Sequence, residues 1–128
     1  MAEIRIPPNT MKRALEKNAL SCQMSYYGED LGDGVLWDEL FQTDDIVRLY
    51  DMALCLATGK VDSFVYADQW DMVMIHAKKK ADSYEMEVSV MQRAQGKHLS
   101  AVFSYTKQEL MDFVDELGEY KKAYPVRI

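Results

Sequence analysis

The sequence predicts an α+β fold: an antiparallel sheet of about five to six strands, with two or three helices packed on one face. Three observations carry this. Three segments late in the chain alternate apolar and polar side chains with period two. Short polar connections separate them, which suits antiparallel neighbours and leaves no length for a crossover helix. Two other segments switch to helical spacing behind recognisable start signals.

The alternating segments are residues 70–77, 84–92 and 99–105. In the first, Trp70, Met72, Met74 and His76 share one face, with Val73 and Ile75 on the other. In the second, Tyr84, Met86, Val88 and Val90 lie opposite Glu85, Glu87 and Ser89; in the third, Leu99, Ala101, Phe103 and Tyr105 lie opposite Ser100 and Ser104. Successive strand side chains point to opposite faces, so the last two segments read as strands with one wet face. The period then changes. Thr106 and Glu109 have the spacing of a capping box. Leu110, Phe113, Val114, Leu117 and Tyr120 follow at helical spacing, and Pro125 marks the stop.

Earlier in the chain, residues 3–6 predict a short strand ended by Pro7 and Pro8, which cannot donate to a ladder. Asn9 or Thr10 can cap a short helix reaching Lys17. Leu20, Cys22, Met24 and Tyr26 alternate with Ser21, Gln23, Ser25 and Tyr27 as a further half-buried strand. Residues 28–34 form a glycine-rich acidic loop, and 35–41 a short strand or helical turn. Thr43 before Asp44 and Asp45 starts a second helix, with a capping hydroxyl and then acids at the positive end of the dipole. Ile46, Leu49, Tyr50, Ala53, Leu54 and Ala57 supply its stripe, and Gly59 its stop. Residues 61–66 predict one more strand. Strands that succeed one another without intervening helices favour an antiparallel α+β arrangement over a doubly wound sheet. Residues 1–128 are expected to form one domain.

Composition narrows the function. Apolar residues make up 48% and charged residues 28%, the balance of a folded protein. No apolar run approaches the roughly 18 residues of a spanning helix, and the first residues lack the basic-then-apolar build of a secretory signal. Cys22 and Cys55 sit in apolar contexts without metal-ligand spacing, as free thiols would. The expectation is a cytoplasmic protein. Net charge is −6, yet residues 28–51 hold eight carboxylates against the single base Arg48, so the other 104 residues sum to +1. Such a balance argues against a nucleic-acid binder, which needs a basic footprint, and for a basic partner.

No catalytic motif is present. No Gly-rich loop leads from a strand into a helix, and the 28–34 loop departs from the calcium pattern, because its alternate positions from Glu29 bring Leu31 and Val35. His76 and His98 could meet across a sheet, but they lack a third ligand. We therefore expect no enzyme, no cofactor and no metal. The acidic window remains the most informative feature, because aromatics flank its carboxylates and combine apolar anchoring with charge selection. The candidate partner-binding residues are Tyr26, Tyr27, Glu29, Asp30, Asp33, Trp37, Asp38, Glu39, Asp44 and Asp45.

Leu40-Phe41, Asp44-Asp45-Ile46-Val47 and Ala57-Thr58-Gly59, then Asp68-Gln69-Trp70-Asp71-Met72, then Tyr105 to Leu110 with Phe113 and Leu117, form a pattern over about residues 40–124. It resembles that of small bacterial proteins of the WapI-like immunity group, which neutralise polymorphic or contact-dependent toxins. The resemblance implies a non-enzymatic cytosolic inhibitor that binds a toxin domain, often a basic nuclease, and blocks its cleft. A monomer or weak homodimer is expected, with no membrane and no nucleic-acid partner. Two alternatives stay open: a small ligand-binding or enzymatic domain using His98, Glu85 and Glu87 on the polar sheet face, and a homodimeric assembly subunit joined through a strand edge or a Met-rich face.

Overall fold

The computed structural model describes residues 2–5, 19–26, 29–30, 36–67, 73–92 and 97–126. The helix predicted between Asn9 or Thr10 and Lys17 lies outside these, as do residues 70–72 of the predicted 70–77 strand. The order is β1 (Ala2–Arg5), β2 (Ala19–Tyr26), β3 (Glu29–Asp30), β4 (Leu36–Gln42), α1 (Thr43–Ala57), β5 (Ser63–Ala67), β6 (Val73–Lys79), β7 (Tyr84–Gln92), β8 (Lys97–Tyr105) and α2 (Lys107–Ala123).

The α+β class and the antiparallel pairing are as the alternation predicts. The expected sheet of five to six strands is not seen. The described strands divide into two antiparallel sheets of four: β5-β6-β7-β8 in chain order, and a separate sheet in which β1, β3 and β4 all pair with β2. Alternation says which face a side chain takes; it does not say which strand lies alongside.

The β5–β8 meander carries the core. Its inner face presents the cross-strand row Phe64, Ala77, Met86 and Phe103, and beside it Tyr66, Ile75 and Val88, all buried. Ile46, Leu49, Ala53 and Leu56 of α1, with Leu110, Phe113, Val114 and Leu117 of α2, close over it. The two helices pack on each other, α1 against β5 and α2 against β8. Met86 is a core residue, 1% exposed, and the Tyr105 hydroxyl donates to its Sδ at 3.3 Å. Here a methionine fills space while giving a buried hydroxyl a soft acceptor.

Both helices end as local chemistry requires. Thr106 caps α2: its Oγ1 accepts from the Glu109 N–H and the Glu109 carboxylate from the Thr106 N–H, each at 3.1 Å. At the far end of α1, Gly59 takes φ +80°. The Lys60 N–H then reaches the Cys55 carbonyl at 2.9 Å and the Gly59 N–H reaches Leu56 at 3.3 Å, a Schellman pair that satisfies two orphan carbonyls. The start of α1 differs from expectation. The cap is Gln42, and Thr43 is the first helical residue, fully buried. Asp45, three residues on, accepts from the Gln42 N–H at 2.7 Å, so the acid reaching back sets the frame.

Gly118 of α2 packs against the Tyr50 ring of α1. A Cβ built there would lie 3.2 Å from Tyr50 Cε2. Lys121 lies over that ring, with Nζ 4.7 Å from its centroid. Alanine gains roughly 1 kcal/mol in helix propensity over glycine, and the half-buried ring edge can yield a few tenths of an ångström. Gly118→Ala is therefore expected to leave stability within about 0.5 kcal/mol of wild type. Gly118→Leu forces the helices apart and is expected to cost about 2 kcal/mol in urea denaturation.

Candidate functional site

Two surfaces are built from residues singled out by their chemistry. The first is the acidic edge. Ser25 and Tyr26 of β2 pair with β1 on one side and with β3 on the other, while Gln23 pairs with Arg5 of β1 and with Leu36 of β4. β3 and β4 must then lie along the same side of β2, in line. Glu29 and Asp30 form β3, opposite Tyr26 and Ser25; Trp37 is opposite Cys22, and Asp38 and Glu39 follow it in β4, where the register between β2 and β4 shifts between the Leu20–Phe41 and Cys22–Trp37 pairs. From the Ala19–Gln42 pair to the Tyr26–Glu29 pair the edge runs seven residues of β2, roughly 23 Å. The backbone thus gathers four candidate acids onto one outer line of the sheet, with Tyr26 at its end. Tyr27 and Asp33 lie outside the described residues.

β4 runs directly into α1, which adds the last two acids. Asp44 is exposed. Asp45 is 4% exposed and committed: one carboxylate oxygen takes the Gln42 N–H and the other takes Arg48 Nη2. Arg48 also lies over the Tyr66 ring, 5.4 Å from its centroid. The hydrogen bond to Asp45 holds the guanidinium above its ordinary pKa, against the smaller opposing effect of burial. The one base in the acidic window is therefore paired with a buried acid. Of the window's acids, Glu29, Asp30, Asp38 and Glu39 stand on β3 and β4, Asp44 is exposed at the start of α1, and the sequence places no second base among them.

The second surface is the outer face of the β5–β8 sheet. Its central cross-strand row is Val65, His76, Glu87 and Val102. The row on one side is Ser63, Lys78, Glu85 and Ser104, and on the other Ala67, Met74, Ser89 and Ser100. Glu85 is shared by two lysines, Lys78 at 3.5 Å and Lys80 at 3.9 Å. The run Lys78-Lys79-Lys80 thus begins inside β6 and is tied to β7 through Glu85. The alternation marks this face as polar through Glu85, Glu87 and Ser89. It passes over the valines, although Val102 shares the parity of Ser100 and Ser104. Ser21, Gln23 and Ser25, the polar positions of the half-buried strand read at residues 20–27, belong to the other sheet.

The histidines do not form a site. His76 lies within β6 and is opposite Glu87, whereas His98 is opposite Met91, four residues further along β7. That offset is roughly 13 Å along the strand, with β7 between the two. Glu85 and the position opposite His98 are six residues apart, roughly 20 Å, so the polar set His98, Glu85 and Glu87 is strung along the sheet. Among the described residues no group of three or more His, Cys, Asp or Glu side chains could hold a metal ion, and no helix is long and apolar enough to cross a membrane. Cys55 is a free, half-buried thiol beside a shallow apolar hollow lined by Met52, Val61 and Phe64. Compared with family models, with curated proteins and with solved structures, the chain matches none.

Proposed function

We propose that this chain is a cytosolic immunity-type inhibitor, a protein-binding module that docks on a basic toxin domain and obstructs its cleft. The observation that carries the reading is the collection of Glu29, Asp30, Asp38 and Glu39 on one sheet edge that leads into Asp44. With the rest of the chain summing to +1, this edge is where a cationic surface would be drawn. A nuclease domain, which must hold phosphates, presents such a surface. The inhibitor needs no chemistry of its own. It needs charge to steer and an aromatic to anchor, and the anchoring falls to Trp37.

Rim carboxylates act chiefly on encounter, and that action fades as the Debye length shrinks to roughly 8 Å at physiological salt. The partner is first captured from a lysate of the source cells and identified. Asp38→Lys combined with Glu39→Lys is then expected to slow association about 10- to 100-fold at low salt and to flatten its salt dependence. Trp37→Ala is expected to speed dissociation, with a loss of about 2 kcal/mol. Circular dichroism checks that each variant is folded. An association rate unchanged by the double reversal, with the partner in hand, rules the acidic edge out as the docking site.

A further inference from the structure

The outer face of the β5–β8 sheet is complementary to itself. Three of the five exposed large apolar side chains among the described residues lie on it: Val65 at 55% exposure, Met74 at 44% and Val102 at 58%. The charges are sorted by strand. β6 carries Lys78 and His76; its neighbour β7 carries Glu85 and Glu87. The face as a whole is balanced, since Lys78 and Lys80 offset Glu85 and Glu87. It therefore has no field with which to select a strongly basic or acidic partner, unlike the acidic edge. A copy of itself is different.

We propose that two copies of this chain associate face to face through this sheet surface. Take a two-fold axis lying along the strands, above the seam between β6 and β7. It sets β6 of one copy over β7 of the other, and β5 over β8. Because the axis runs along the strands, each cross-strand row meets the same row of its partner. His76 then faces Glu87, Lys78 faces Glu85, and Val65 faces Val102, each contact occurring twice. Met74 faces Ser89, a small side chain over which the long thioether can lie. An isologous interface demands that if one residue meets another, the reverse contact also forms; in this pairing every basic position returns an acidic one and every exposed valine a valine. Aligned sheets pack about 10 Å apart with their strands about 30° from parallel, which this axis allows.

Size sets the strength. Four strands about 4.8 Å apart and three rows of outward residues give a patch of roughly 20 by 20 Å. That is about half of the ~800 Å² per partner of a standard stable interface. The dimer is accordingly weak and concentration-dependent, and it leaves the acidic edge of the other sheet out of the contact set.

The test is sedimentation equilibrium on the whole chain from about 10 µM to 1 mM, a range suited to a patch of that size. Wild type is expected to shift from monomer toward dimer across it. Val65→Lys and Val102→Glu are each expected to weaken association about tenfold or more. Both positions are more than half exposed, so the thermal transition should be retained. A mixture of these two variants restores one valine contact and creates one Lys–Glu contact, so it is expected to associate about tenfold more strongly than either alone. Lys78→Glu is expected to weaken the dimer, and Lys78→Glu with Glu85→Lys to recover it, because the exchange keeps the pair within the chain and between copies. A wild type that stays monomeric at 1 mM overturns the proposal. So do single variants that associate like wild type, and so does a mixture no stronger than its parts.

Discussion

Phe113→Ala is expected to lower the unfolding free energy by about 3–5 kcal/mol, and the melting temperature by roughly 10–20 °C. Phe113 is 2% exposed and stands on the face of α2 that also buries Leu110, Val114 and Leu117 over the sheet. Truncation removes most of the ring's contacts and leaves a cavity that a sheet on one side and α1 on the other cannot close. Set against a total stability of about 5–15 kcal/mol, this is a large fraction. Val102→Lys offers the contrast. It too alters an apolar residue of the helix-and-sheet unit, but on the opposite face and 58% exposed, and it should stay within about 0.5 kcal/mol. Urea denaturation followed by circular dichroism measures both. A loss below about 1 kcal/mol for Phe113→Ala would mean that α2 does not dock on the sheet as described.

The elements most legible in the sequence are those whose signal is local. Thr106 and Glu109 cap each other as their spacing implies, and Gly59 takes the positive φ that ends α1. The inward set Tyr84, Met86 and Val88 is buried and the alternate set faces out, because a one-residue slip would move every apolar group into water. What the pattern does not give is long-range. β2 alternates as well as β7 does, so nothing within it says that it belongs to a second sheet. The start of α1 is also ambiguous in sequence. Thr43-Asp44-Asp45 offers a good hydroxyl cap, and Gln42 with Asp45 offers a good carboxylate one; the fold takes the second and buries Thr43.

The candidate site divides along the same line. That residues 28–51 are acidic is a matter of composition. That Glu29, Asp30, Asp38 and Glu39 share one edge follows only from the double pairing of β2, in which Gln23, Ser25 and Tyr26 each have a neighbour on both sides. Likewise, parity alone places Val102 outward, but its row with Glu87, His76 and Val65 needs the register of three ladders. Asp45 is the residue that sequence reading counts among the partner-facing acids and that the structure turns inward, since a carboxylate at the third helical position is better used on the cap.

That use gives Asp45 a measurable weight. Three effects act at once: a charge-assisted hydrogen bond from the Gln42 N–H, the favourable end of the helix dipole, and the ion pair with Arg48. The first is worth about 1–2 kcal/mol and the second about 0.3–1. The pair is worth only about 0.5, because the Arg48 side chain is 48% exposed and water screens it. Asp45→Ala is therefore expected to cost about 2 kcal/mol. Asp45→Asn keeps an oxygen for the Gln42 amide while losing the charge, and should cost about half as much. Arg48→Ala loses the pair and the stacking on Tyr66 but leaves the cap, and should cost less than about 1 kcal/mol. The order of the three in thermal or urea unfolding decides the matter. If Arg48→Ala proved as costly as Asp45→Ala, the ion pair rather than the cap would be what fixes the junction between β4 and α1.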